Sequence, residues 1–336
     1  MHTNRERFLL IFLALVLVFT CAASGYVPSA KQRIICLAPS CVETIYALGL
    51  EQSLVGWSQY TDYPVEVTYT NGWVPYYNYV FVSVEDELSK DVAVVSGFMD
   101  FNLPVIEALD PTLIIATESI QKGMADELAA LGYNVLYQNP ITLDDVFADM
   151  IEIGEATGRA SQAQKLVRGY YQEIEEIRAI TSGLPKLKVY LEISHYGPWA
   201  TGANSPMDQV LEYAGGENIF EDVPYAAFET TNEEIVARNP DVILTPLWPK
   251  AGPYEVTTIS EIVMREGYQS ITAVMNDRVY HYDSSLLKRP GPRQVTAIRK
   301  LAYLLHPYYF ENPENSVSPW ELGKIDAAYD PPAPLP

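Results

Sequence analysis

The sequence predicts an α/β protein of two lobes, each built on a central, mostly parallel sheet, with one long helix joining them. Three observations predict it. A strand, helix, strand order occurs near the start of the chain and again after residue 186. A helix, proline, strand segment recurs inside each half. Between the halves runs a long helical stretch with no strand signal.

In the first half, Arg33-Ile-Ile-Cys-Leu reads as a buried strand, Ala38-Pro39-Ser40 as a turn, and Val42 to Leu48 as a helix closed by Gly49. Leu54-Val55-Gly56-Trp57 then reads as a second strand, and a unit this short is a parallel crossover. The same grammar returns with Lys188 to Ile193 as a strand and Pro206 to Ala214 as a helix stopped by Gly215-Gly216. The chain turns inward again at Asn218-Ile219-Phe220.

A sharper repeat lies inside each half. EALDPTLIIA at residues 107–116 and VARNPDVILT at 236–245 each give a helix end, a polar residue, a helix-stopping proline and a short buried strand. Duplication of one α/β lobe accounts for this agreement in order.

The connection between the halves spans residues 142–185. Thr142 and Asp145 form a capping-box pattern, and Leu143, Val146, Phe147, Met150 and Ile151 keep an apolar stripe at helical spacing. A second stripe runs through Ala163, Leu166, Val167, Tyr170, Ile174 and Ile177 before Gly183 and Pro185 stop it. A packed helix bends reluctantly, so the lobes are expected to move only slightly against one another.

These readings divide the chain. Residues 1–23 carry a secretion signal or lipoprotein signal: Arg5 and Arg7 precede a charge-free apolar run shorter than the roughly 20 residues a membrane helix needs. Cys21, in Val18-Phe19-Thr20-Cys21, is the candidate lipidation site, in a loose form of the bacterial lipoprotein box. A tether follows at 24–32, then an N-terminal lobe at 33–141, the helical segment at 142–185 and a C-terminal lobe at 186–310. A proline-rich tail occupies 311–336.

Composition excludes several function classes. The chain carries 22 basic against 43 acidic residues, a net charge of −21, so nucleic acid is not the expected partner. That field instead favours solubility and attracts cations. Beyond Cys21 only Cys36 and Cys41 remain, which read as small core residues rather than a disulfide network or a zinc site. No phosphate loop, dinucleotide-binding glycine turn, nucleophile elbow or HExxH helix is present, so no catalytic residue and no resident metal or covalent cofactor is expected. The four histidines, at 2, 195, 281 and 306, lie too far apart to form a local ligand pair.

The chain is rich instead in aromatic residues placed in loops. Its 24 tyrosines and 5 tryptophans gather at Trp57, Tyr60 and Tyr63, at Trp73, Tyr76, Tyr77 and Tyr79, at Tyr196 and Trp199, and at Trp248. Ligands of parallel α/β lobes bind beyond the carboxyl ends of the strands, and flat rings there suit a large, partly apolar ligand. Tyr60, Tyr63, Trp73, Tyr77, Tyr196, Trp199 and Trp248 are the candidate ligand contacts. Arg289 joins them, because in Lys288-Arg-Pro-Gly-Pro-Arg293 it follows a predicted strand and its planar fork could grip ligand oxygens. Arg293, at a helix start, is expected to be structural.

Taken in order, these residues resemble the solute-binding proteins of iron-siderophore, haem and cobalamin ABC importers. The resemblance covers residues 32–308. It rests on Arg33-Ile-Ile-Cys-Leu-Ala-Pro-Ser with Glu43 and Ala47-Leu48-Gly49, on Tyr60-Thr-Asp-Tyr-Pro64, on Asp110-Pro111, on Asp208 to Phe220, on Glu233 to Asp241, and on Val274 to Tyr280 ahead of Arg289 to Arg293. It implies two Rossmann-like lobes bridged by a backbone helix. The expected role is capture of a ferric siderophore, haem or corrinoid outside the cytoplasm and its delivery to a permease with its ATPase, by a monomer held to the membrane through a lipid or N-terminal anchor. One surface glutamate per lobe docks on the permease in that family. The second-lobe residue falls on Glu233, seven before Pro240; the first-lobe equivalent is Pro104, so Glu107 is the substitute one helical turn on. The alternative reading is an extracellular ligand-sensing domain on the same scaffold.

Overall fold

A computed structural model describes residues 32–64, 84–97, 99–194, 197–247 and 257–311. In the first lobe, β1 (Ile34–Cys36), β2 (Leu54–Ser58), β3 (Ala93–Ser96), β4 (Leu113–Thr117) and β5 (Val135–Gln138) form one sheet in the order β3-β2-β1-β4-β5. All its pairings are parallel. The helices between them are α1 (Pro39–Ala47), α2 (Val84–Leu88), α3 (Leu103–Leu109) and α4 (Lys122–Ala130).

Side chains on a strand alternate between faces, and here both faces are covered. Ile34, Cys36, Leu113 and Ile115 pack with Val42 and Ile45 of α1, while Ile35, Ile114 and Ala116 pack with Ile106 of α3 and Leu128 of α4. That is why the strands read as unbroken apolar runs. The expected turn at Ala38-Pro39-Ser40 is instead the start of α1: Pro39 takes the first helical position, where its fixed φ suits the helix and its missing N–H leaves no bond unmade.

The second lobe repeats the plan. Strands β6 (Leu187–Leu191), β8 (Gly216–Asn218), β10 (Val242–Leu247) and β11 (Val279–Asp283) form a parallel sheet in the order β11-β10-β6-β8. A two-stranded antiparallel ribbon, β7 (Trp199–Ala200) with β9 (Phe228–Glu229), stands beside it. Val189, Leu191, Val242, Leu244 and Tyr280 face one core, and Tyr190, Ile243 and Val279 the other.

The internal repeat is visible in the backbone. Asp110 after α3 and Asn239 before Pro240 are both left-handed, with φ of 44° and 45°, and each is followed by proline and a central strand. Thr112 N donates to Arg33 O at 2.8 Å, and Asp241 N donates to Lys188 O at 2.7 Å, so each proline delivers its strand to the same place beside the lobe's first strand. Asp and Asn tolerate that backbone region, and the following proline disfavours continuing the helix.

A helical hairpin bridges the lobes: α5 (Leu143–Ala156) and α6 (Ala160–Thr181), the latter 22 residues and so about 33 Å long. The capping box is complete, with Asp145 N donating to Thr142 Oγ1 at 3.1 Å and Thr142 N donating to Asp145 Oδ2 at 2.9 Å. A Cβ on Gly154 would lie 2.5 Å from that of Ala163, so only glycine lets the two helices close so tightly. Leu143, Phe147, Val167 and Ile174 belong to the second lobe's core, whereas Ile153 and Ala163 belong to the first lobe's. The long helix α6 therefore runs from the first lobe's core into the second's as the bridging helix, and α5 packs along it, also rooted in both cores. Among the described residues no helix is long and apolar enough to cross a membrane.

The second lobe is completed by α7 (Pro206–Tyr213), α8 (Asn232–Arg238), α9 (Ile259–Val263), α10 (Thr272–Met275), α11 (Ser284–Lys288) and α12 (Gln294–Leu305).

Candidate functional site

Strand order reverses between β1 and β4 in the first lobe and between β6 and β10 in the second, and carboxyl-end loops beside such reversals are where parallel α/β sheets take ligands. The segments leaving these strand ends meet across the lobes. From the first lobe come α1, which leaves β1 through Leu37 and Ala38, and the loop 59–64 after β2. From the second comes the segment that leaves β11, turns through α11 and enters α12.

Asp283 at the end of β11 starts that segment, its Oδ1 accepting from Ser285 N at 2.8 Å and Leu286 N at 3.1 Å. The short helix it caps carries Lys288 and then Arg289 toward the first lobe. Arg289 forks onto both oxygens of Asp62, with Nη2 at 3.1 Å from Oδ2, and the same nitrogen donates to Tyr60 O at 3.0 Å. Its Nη1 lies 3.5 Å from Glu43 Oε1. Ser285 Oγ also donates to Asp62 Oδ2, at 3.0 Å.

Arg293 grips Glu43 in two places, Nε to Oε2 at 3.0 Å and Nη2 to Oε1 at 2.6 Å, and its guanidinium carbon sits 4.2 Å from the centroid of the Tyr63 ring. Burial works against the Arg293 charge, but Glu43 more than offsets it and holds the guanidinium firmly protonated. Glu43 itself is 2% exposed, the one charged side chain among the buried residues of α1. Tyr170 of the bridging helix faces the same cluster; burial, with Glu173, Tyr63 and Glu43 adding to it, pushes its hydroxyl up to about 12.

A second cross-lobe pair lies alongside. Glu118, just past β4, is half-buried with φ 69°, and burial lifts its carboxyl to about 7 although Lys288 and Arg289 pull it down. Burial lowers the Lys288 ammonium to about 8 against the pull of Glu118, while its Nζ donates to Ile193 O at 2.9 Å. Deeper in the second lobe, fully buried Glu192 is forked by Arg265, with Nη2 to Oε1 at 3.0 Å, and accepts from Tyr190 OH at 3.3 Å. Burial still raises its carboxyl.

The structure brings Tyr60, Tyr63 and Arg289 together at the lobe junction, with the ring face of Tyr63 on Arg293 and the fork of Arg289 on Asp62. Trp199 is on β7 and 38% exposed, its carbonyl accepting from the N–H of Ile193, whose own carbonyl accepts from Lys288. Trp57, which the sequence places both at the end of the second strand and among the loop aromatics, is a core residue of β2 at 4% exposure, because it packs with Ile34, Cys36 and Val42 on one face of the sheet. Glu233 stands exposed in the first turn of α8, while its neighbour Glu234 is held by Arg238 at 3.0 Å. Glu107 is exposed toward the end of α3. Trp73, Tyr77, Tyr196, Trp248 and Cys21 lie outside the described residues, as do the 1–23 signal and almost all of the tether and proline-rich tail.

Sequence reasoning gave no site role to Glu43, Asp62, Glu118, Ser285 or Lys288. The available signals are a lone charged residue within the otherwise uncharged α1 and an aspartate set between two tyrosines.

The chain is 30% identical over 288 residues to YvrC of Bacillus subtilis, an uncharacterised ABC transporter substrate-binding lipoprotein, covering 83% of this chain and 82% of the relative. The crystal structure of the Vibrio cholerae periplasmic vitamin B12 binding protein BtuF superposes with a TM-score of 0.63 at 24% identity, over 82% of this chain and 96% of that one. The periplasmic heme-binding protein RhuT of Roseiflexus gives a TM-score of 0.68 at 21% identity, over 83% of this chain and 99% of that one. Those two likenesses bear on the fold, which is the two-lobed arrangement described above. Residues 34–286 match the periplasmic binding protein family along both lobes and the hairpin between them, and the chain belongs to that family.

Proposed function

We propose that this protein is the extracytoplasmic receptor of an ABC importer, capturing a metal chelate between its lobes and delivering it to the permease without chemical turnover. The observation that carries this reading is the apposition of two parallel sheets at their carboxyl ends over a hairpin rooted in both cores, in a chain similar over most of its length to a substrate-binding lipoprotein. A rigid bridge with facing loops permits small closures around a ligand. Relatives named for vitamin B12 and heme support a large chelate, ferric siderophore, haem or corrinoid, as cargo.

In this reading Tyr60, Tyr63, Trp199 and Arg289, with Trp73, Tyr77, Tyr196 and Trp248, border the cargo. Glu233 and Glu107 meet the permease. The N-terminal segment exports the chain, with a lipid on Cys21 as its tether, and the receptor acts as a monomer. None of these roles requires a nucleophile or a resident metal.

The test is binding. Ferric siderophores, haemin and cobalamin are added separately to the purified protein while its melting temperature is followed. At a hundredfold excess over Kd, binding to the folded state adds about 2.7 kcal/mol and raises Tm by several degrees. A saturable shift with one chelate is the expected result; no shift with any of them rejects the reading.

A further inference from the structure

The receptor reading leaves the charge of the cargo open, and the lobe junction speaks to it. Resting on that reading, we infer that this cleft takes a chelate whose buried face is uncharged or cationic, and that Asp62 and Glu43 exclude ligands presenting carboxylates or other anionic groups.

Both junction arginines are already engaged. Arg289 spends its fork on Asp62 and Tyr60 O, and Arg293 spends its fork on Glu43 with its face against Tyr63. These guanidinium groups are only 12% and 10% exposed, and the bidentate geometry with a carboxylate is the best such a fork can reach. An anionic ligand that sought Arg289 would have to displace Asp62, leaving a carboxylate beside the incoming negative charge in a half-buried place where repulsion is poorly screened. An uncharged amide, an aromatic ring or an ammonium meets no such opposition.

Glu43 strengthens the effect, since it lies 3.5 Å from Arg289 as well as holding Arg293, so both cations already share negative partners. A second, independent observation points the same way. The chain's net charge is −21, and a field of that sign slows the approach of anions and concentrates cations at the surface.

The experiment compares matched pairs of chelates on one scaffold, titrated into the full chain by calorimetry at physiological salt. The pairs are cyanocobalamin and its carboxylate hydrolysis product, haemin dimethyl ester and haemin, and a cationic ferric trihydroxamate with its amine free or succinylated. On whichever scaffold binds, the member without the carboxylate should bind at least about tenfold tighter, which at 1.4 kcal/mol per decade is a modest demand on one buried like-charge contact. D62N should shrink that ratio about threefold or more by improving the carboxylate member relative to the uncharged one.

A ratio below tenfold, or a preference for the carboxylate member, overturns the inference while leaving the receptor reading intact. A tenfold ratio that D62N does not reduce overturns the assignment to this wall. Silence on every scaffold removes the receptor reading and the inference with it.

Discussion

Arg293 of the second lobe and Glu43 of the first are joined by a bidentate ion pair across the lobe junction, at 3.0 and 2.6 Å, with both side chains almost wholly buried. Removing one partner strands the other's charge in a poorly solvated place, and that cost exceeds the net value of the pair. Glu43→Ala should therefore destabilise the protein by about 3 kcal/mol or more, and Arg293→Met by a similar amount, while the double replacement should cost clearly less than their sum. Denaturant unfolding of the four proteins in that cycle measures the coupling. Additive single effects would show that the two groups do not sense one another.

Glu118 and Lys288 predict a pH signature of opposite sign to a surface ion pair. An ordinary glutamate ionises near 4.5, but Glu118 holds its proton to about 7 because burial penalises the charge more than Lys288 and Arg289 favour it. Between those values the unfolded chain releases a proton that the folded one keeps, so the contribution of Glu118 to stability falls as pH rises from 4.5 to 7 and then levels. Lys288 does the reverse: the unfolded ammonium keeps its proton to 10.5 and the folded one only to about 8, so stability recovers as pH rises through that interval. Subtracting the unfolding free energy of Glu118→Gln from that of the native protein should give a difference that declines by up to about 3 kcal/mol from pH 4.5 to 7. A flat difference would mean that the carboxyl titrates as an exposed one.

How much of this could be read beforehand follows from range. The lobe plan was legible because its signals are local: Asp110-Pro111 and Asn239-Pro240 mark the same helix exit, and both strands after them alternate between two cores. The capping box at Thr142 and Asp145 spans three residues, so it too is legible in the sequence. Proline is ambiguous at short range, since it opens helices as well as turns, and that misplaced the start of α1. The junction was not legible at all. Arg289 meets Asp62 across 227 residues and Arg293 meets Glu43 across 250, and no periodicity in either segment encodes its distant partner. Trp57 is ambiguous for the complementary reason: an aromatic at a strand end fits a loop or a core equally well until the strand's neighbours are known.

Trp199 offers a way to separate binding from folding. It is 38% exposed on the edge ribbon, so truncation removes little buried area, and Trp199→Ala should cost less than about 1 kcal/mol of stability. If its ring meets the cargo, the same change should weaken chelate affinity about tenfold, the equivalent of 1.4 kcal/mol. Calorimetry and thermal melting on one preparation decide between them. Unchanged affinity with an unchanged Tm would take Trp199 out of the ligand site.

Glu233 tests the other end of the transport step. It is exposed in the first turn of α8, whereas Glu234 is tied to Arg238 and Thr230, so of the two acidic residues there Glu233 is the better placed to reach a partner's cations. Replacing an exposed side chain away from the lobe junction should leave chelate affinity and Tm within error of the native protein. Glu233→Arg places a positive charge against the basic docking site expected on the permease, and should reduce chelate-stimulated ATP hydrolysis by the reconstituted importer about tenfold or more, since like charges at an interface both slow encounter and oppose the docked state. The first-lobe contact should be weaker, because the position matching Glu233 is Pro104 and Glu107 lies a turn further along α3. Glu107→Arg is therefore expected to give a smaller loss. Full stimulation by both variants, measured with saturating chelate, would place permease recognition on other residues and leave the capture step untouched.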